Sequence, residues 1–320
     1  MTGAEPPGRP VPVIVDTDIG EDIDDLLVLC FALNSPELEL LAVTTVDGDT
    51  AARSRIARRL TSAYRRPEIP VVAGYARSMP AANQPYPPLT AVTQDAVAPT
   101  EDGLPPACDL GADELIARLA AERPGRVHLL TIGSMTNAGQ ALVRYPETAE
   151  NLAAIVTNGG GFGPGRETTI GWNLRYDPVA AAIVARSEAQ WVLIPEGMPG
   201  LGGLTARDVE KIRARGLETT DIIYLAIQEW RRNKRECRPD SIPHLSDLRC
   251  FAYLLGGILE TRPGRAYITV GPRKTLAELR VELDESGPHR LGWRADPEKG
   301  QALHDLFMER ILSAPLVRRG

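Results

Sequence analysis

The run from Val13 to Leu27 constrains this chain more than any other. Val13, Ile14 and Val15 lead into five aspartates, Asp16, Asp18, Asp22, Asp24 and Asp25, and an apolar stretch from Leu26 to Leu33 follows at once. A short β-rich segment, an acidic turn and a longer apolar run that helical periodicity can bury read as strand, loop and helix. In an open α/β sheet such a junction lies at the carboxyl end of the strand, where ligands bind. Carboxylates this close repel one another and are driven toward protonation unless a cation holds them. An all-oxygen set suits a hard divalent ion, calcium or magnesium. One aspartate can cap the helix and the helix dipole favours acid in the first turn, but five together exceed what capping needs.

Beyond this junction, strand candidates at 38–46, 71–73, 127–132, 153–156 and 190–194 alternate with helix candidates at 51–65, 113–123, 138–145 and 178–185. The alternation predicts an α/β fold, with an open, mostly parallel central sheet, helices on both faces and a Rossmann-like core. Asp177-Pro178 supplies a helix cap and a first-turn proline. The segment from Met79 to Ala107 is rich in proline and poor in periodic apolar residues, and a connection of that length reads as a lid over the pocket. Residues 1–10 read as a disordered tail and residues 11–320 as one catalytic domain.

Bulk composition narrows the partners. A net charge of −6 without a long basic tract argues against nucleic acid. No apolar run is long enough to span a bilayer, and the first ten residues lack the apolar core of a signal peptide. The expectation is a cytoplasmic protein acting on a small molecule. Cys30, Cys108, Cys237 and Cys250 show neither metal-ligand nor redox spacing, so reduced thiols are expected.

Asp16-Thr17-Asp18-Ile19-Gly20 followed by Asp24-Asp25 resembles the N-terminal signature of the calcium-dependent nucleoside hydrolases of the inosine-uridine-preferring type. Further matches fall in the family's order: Ala42 to Asp49, Leu130 to Asn137, Gly159-Gly160-Gly161, Trp172 to Pro178, and Ser246-Asp247. The resemblance implies hydrolysis of an N-glycosidic bond to free base and ribose, Ca2+ as cofactor, a role in purine or pyrimidine salvage, and a homodimer or homotetramer. It implies that Asp18 binds calcium and takes the proton of the attacking water. Asp25, Asp247 and the backbone carbonyl of Ile132 would complete the metal site, while Asp24, Asp49, Asn173, Trp172 and Asp247 would contact substrate. Two extra residues between Gly20 and the Asp24-Asp25 pair leave Asp22 at the compact motif's spacing. Asp24-Asp25 is preferred because the apolar helix begins directly after it.

Departures from the family pattern bear on specificity. Where the family carries a histidine able to protonate the leaving base, this chain has Ser246, and nearby His244 is the available substitute. Asp49 stands where asparagine is usual. Gly165 and Gly171 stand where the family places an asparagine and a glutamate on the ribose 5′-hydroxyl, with Arg166 and Arg175 close by. These changes open a second reading, a hydrolase of a nucleotide or modified N-riboside. A third is a non-catalytic, metal-retaining nucleoside or ribose binder. A phosphatase using Asp16 and Asp18 is more distant, because Gly20 and Asp24-Asp25 suit metal coordination better.

Overall fold

The computed structural model describes residues 9–79, 92–200, 202–271 and 277–316. Strand and helix alternate through β1 (Val11–Thr17), α1 (Asp24–Leu33), β2 (Leu38–Thr45), α2 (Thr50–Ala63), β3 (Val71–Ala73), α3 (Ala112–Glu122) and β4 (Val127–Thr131). The pattern continues with α4 (Thr136–Arg144), α5 (Thr148–Asn151), β5 (Leu152–Asn158), α6 (Trp172–Tyr176), α7 (Pro178–Arg186) and β6 (Trp191–Ile194). The C-terminal part comprises α8 (Ala206–Arg215), α9 (Glu218–Asn233), α10 (Leu248–Leu254), β7 (Leu259–Thr269), β8 (Glu278–Leu283), β9 (His289–Ala295) and α11 (Pro297–Leu312).

These strands form one sheet in the order β3-β2-β1-β4-β5-β6-β9-β7-β8. Pairing is parallel from β3 through β9, and β7 runs antiparallel to both β9 and β8. The mostly parallel α/β architecture expected from the sequence is therefore present. β1 is the branching point, with β2 on one side and β4 on the other. Strand order reverses there, which opens a crevice at the carboxyl ends of β1 and β4.

Two-residue periodicity divides the core. Val13 and Val15 face one layer and Ile14 the other. Every residue of α1 is buried, because this helix is covered on both sides. Its Phe31 ring stacks on Phe307 of α11 and meets Phe251 of α10 edge-on, each at 5.7 Å. Full burial explains why α1 reads as a continuous apolar run rather than an amphipathic stripe.

The antiparallel extension was not assigned from sequence. β7 alternates buried and exposed positions and carries Glu260, Arg262 and Arg265, a pattern without the apolar density of the parallel strands. Of the Met79–Ala107 segment, residues 80–91 lie outside the described residues, as do residues 1–8 of the N-terminal tail. Residues 92–97 pack on the acidic loop: the Thr93 N–H donates to Gly20 O at 2.8 Å, and Gln94 Nε2 to Asp22 O at 2.8 Å. This portion braces the loop. All four cysteines are free thiols, and no described helix is long and apolar enough to cross a membrane.

Candidate active site

At the carboxyl end of β1, the chain turns through the aspartates and enters α1 at Asp24, while Asp247 arrives immediately before α10. Carboxylate oxygens of Asp24, Asp25 and Asp247 lie within 4.8 Å of one another, and all three residues are buried. Asp25 Oδ1 accepts from Thr17 Oγ1 at 2.5 Å, and Asp247 Oδ1 accepts from Asn158 Nδ2 at 2.8 Å. Burial, reinforced by neighbouring carboxylates, pushes the Asp25 and Asp247 carboxyls well above the usual range. Asp18 is raised to about 7 by burial and by the Glu21 and Asp24 charges, against the opposing Arg53 guanidinium.

Asp16, deeper in the crevice, uses one oxygen to accept from Thr44 Oγ1 at 2.7 Å and Asn137 Nδ2 at 2.6 Å. Its Oδ2 is buried without a hydrogen-bond partner, and burial raises the carboxyl to about 7. Asp47, at φ 74°, is likewise raised to about 8 by burial and the Asp18 charge. So many buried carboxylates held near one another by neutral donors fit a hard, oxygen-seeking divalent cation. The donor set contains no thiolate or imidazole that would favour a softer ion.

A buried guanidinium shapes the acidic loop. Arg53 of α2 is wholly inaccessible; its Nε donates to Asp47 O at 2.7 Å and its Nη1 to Asp18 O and, at 2.8 Å, Ile19 O. It lies on the same helix face as Ile56, Ala57 and Leu60, all core residues. An arginine on an apolar stripe is the signal in the sequence that could have marked it. Arg53→Met should leave three carbonyls short of a donor and lower stability by about 3 kcal/mol, measured as a fall in the urea midpoint.

Neutral groups join the cluster to the next strands. Asn173 donates its Nδ2 to Ile132 O at 2.7 Å and to Asn158 O at 3.0 Å, so Ile132, Asn173, Asn158 and Asp247 form one continuous path. Asn158, at the end of an otherwise apolar strand, was not singled out from sequence. Asn137 holds Tyr75 N, Asp16 Oδ1 and Thr45 O together, and Asp177 caps α7 through Ala180 N while accepting from Thr136 Oγ1 at 2.8 Å. Both form the framework around the pocket.

Other expected positions lie at its edge. Asp22 stays outside the three-carboxylate cluster and pairs with Lys234 at 3.4 Å and His244 at 3.7 Å. Against the effect of burial, these partners hold its carboxyl well below the usual range. His244 Nδ1 lies 3.4 Å from Asp24 Oδ2 and 3.3 Å from Ser246 Oγ. Hydrogen bonds to Asp22 and Asp24 push its imidazolium up to about 11. Asp49 is exposed and caps α2, accepting from Ala52 N at 2.9 Å; the inward-facing aspartate of that loop is Asp47. Trp172 is 45% exposed at the rim, with Arg175 4.9 Å above its ring and the Tyr176 ring tilted against it at 4.7 Å.

Residues 13–305 match the family model of the inosine-uridine preferring nucleoside hydrolases. The chain belongs to this family. A pyrimidine-specific ribonucleoside hydrolase of Salmonella paratyphi A is 30% identical over 67% of this chain and 69% of its own length. An uncharacterized protein of Schizosaccharomyces pombe is 33% identical, the match spanning 57% of this chain and 60% of that protein. Among solved structures, a plant nucleoside hydrolase superposes with a TM-score of 0.75 at 23% identity, over 95% of this chain and 99% of that one. A purine-preferring ribonucleoside hydrolase from Gardnerella vaginalis gives 0.74 at 20% identity, over 94% and 98%. As a nucleoside hydrolase, the chain is an N-glycosyl hydrolase whose acidic residues gather at the sheet's switch point.

Proposed function

We propose that this nucleoside hydrolase cleaves a ribonucleoside to free base and ribose, with calcium held by Asp18, Asp25, Asp247 and the Ile132 carbonyl. The observation that carries the reading is the convergence of Asp24, Asp25 and Asp247 within 4.8 Å beside Asp18, in a chain of this family. When bound, the cation would acidify a water and gather the hydroxyls of a cis-diol. Asp18 then serves as the base that removes the water's proton, in a pocket whose burial raises carboxyl basicity. Asp24 and Asp247 accept from the sugar's 2′- and 3′-hydroxyls. Both Asn173 amide hydrogens have carbonyl partners, which leaves its Oδ1 as the atom it can offer a sugar hydroxyl. Trp172 would present its ring at the pocket mouth. Asp49 would act from the rim through the carboxylate oxygen that does not cap α2.

Departure of the base requires a proton that Ser246 is too weak an acid to supply. The His244 ring, within reach of Ser246 and Asp24, is the group positioned to deliver one. His244→Ala is expected to reduce kcat on inosine by about 10²-fold while changing p-nitrophenyl riboside hydrolysis by less than about threefold, since that leaving group departs as a stable anion. Equal losses on both substrates would remove His244 from this role.

The same reading has the enzyme acting in base salvage in the cytoplasm as a homodimer or homotetramer, a state that light scattering would measure. The test of function is a screen of ribonucleosides and their 5′-phosphates, following free base and reducing sugar with calcium and after chelation. Calcium-dependent release of both products supports the reading. Tight ribose binding without release would establish a binder instead, and release only from the 5′-phosphates a nucleotide hydrolase.

A further inference from the structure

The two glycines that replace the usual 5′ contacts suggest from sequence a site lacking that grip. The structure places a carboxylate beside one of them. Glu196 follows β6, its N–H donates to Gly160 O at 2.7 Å, and its Oε1 accepts from the Trp172 N–H at 2.8 Å. Gly171 adopts φ +68°, and a Cβ there would lie 2.3 Å from Gly160 N and 2.6 Å from Glu196 Oε1. Only glycine fits this position, and the room a side chain would take is filled by the Glu196 carboxylate.

That carboxylate stands one residue from Asn173, whose amide is bonded to Ile132 and Asn158. The nearby arginines are otherwise engaged: Arg166 Nη1 donates to Glu196 O at 2.8 Å, and Arg175 lies over the Trp172 ring. One oxygen of Glu196 bonded to a backbone N–H leaves ample acceptor capacity on the other.

We infer that Glu196 is a specificity residue which accepts the ribose 5′-hydroxyl and turns away a 5′-phosphate. The inference rests on the proposed ribonucleoside reading: with the 2′- and 3′-hydroxyls on the acidic cluster and the base on C1′, the 5′-hydroxyl is the sugar donor left to satisfy. A carboxylate matches a hydroxyl donor and opposes a phosphate dianion.

The test compares p-nitrophenyl riboside with its 5′-deoxy and 5′-phosphate forms, which share one leaving group. Wild type should favour the 5′-hydroxyl over the 5′-deoxy form in kcat/KM by about 10- to 100-fold, the loss expected for a charged hydrogen bond. Glu196→Ala should bring that ratio within about threefold. Glu196→Gln keeps an acceptor for Trp172 N–H but removes the charge, and should raise the relative rate on the 5′-phosphate about tenfold. Equal losses on the hydroxyl and deoxy substrates, or no wild-type discrimination between them, would overturn the assignment. Calorimetric binding of 1,4-dideoxy-1,4-iminoribitol and its 5-deoxy analogue reads the same contact without turnover. If no riboside is cleaved but this binding difference disappears in Glu196→Ala, the hydrolase reading fails while Glu196 keeps its role; if the difference persists, Glu196 loses it.

Discussion

Asp18→Asn is expected to lower turnover by at least about 10³-fold with the fold retained. Two contributions coincide at this residue. It is the base assigned to the attacking water, and general-base effects alone reach about 10²–10⁴; it also belongs to the proposed calcium shell. Structural loss should be small, because asparagine has nearly the same shape and relieves the repulsion that Glu21 and Asp24 exert on a buried carboxylate. The measurements are kcat on the best substrate, calcium stoichiometry and the thermal midpoint in chelator. Near-native turnover with calcium bound would remove Asp18 from catalysis.

Without calcium, stability should fall as pH rises, and calcium should reverse the trend. Asp16 and Asp18 are raised from 3.8 to about 7 and Asp47 to about 8, chiefly by burial. A carboxyl whose pKa is higher in the folded state contributes its full stabilisation below the unfolded value and loses it as pH climbs through the folded one. The window here runs from about pH 4 to about pH 8. With each unit worth about 1.4 kcal/mol, the chelated protein should melt on the order of 10 °C higher at pH 5 than at pH 8. Calcium at about 100 times its dissociation constant adds about 2.7 kcal/mol and acts most strongly at the upper end, where the carboxylates are ionised. Melting at pH 8 that is unchanged by chelator and calcium would count against the metal site.

The parallel half of the fold was legible because its strands are short apolar runs punctuated by turn residues; β3 falls at Val71–Ala73 as expected and β6 begins one residue later than expected. The β7 to β9 extension was not, since half-exposed strands bearing arginine and glutamate look like solvated loop. In the site, the clustered aspartates carried their own signal. Asp24 sits in the same cluster as Asp25 and Asp247, although the reading assigned it to the sugar alone. Asn158 and Glu196 could not be seen, because each is a single polar residue at the end of an apolar strand whose meaning depends on which loop crosses above it. Arg53 was visible as a charge on an apolar face, yet only the fold shows that it meets the backbone of Asp18.

Asp25 and Asp247 are far apart in the chain, so a cation gripping both would act as a removable crosslink closing a loop of more than half its length. Closing so long a loop restricts the unfolded chain more than a short one does, though the dependence on length is only logarithmic. The two halves of the grip differ in support: α1 is buried along its whole length, whereas α10 has seven residues and is followed by exposed Gly256 and Gly257. Withdrawal of the metal should therefore loosen α10 before it touches the β1–α1 junction, and the backbone amides of residues 248–254 should be the first to gain hydrogen exchange in chelator.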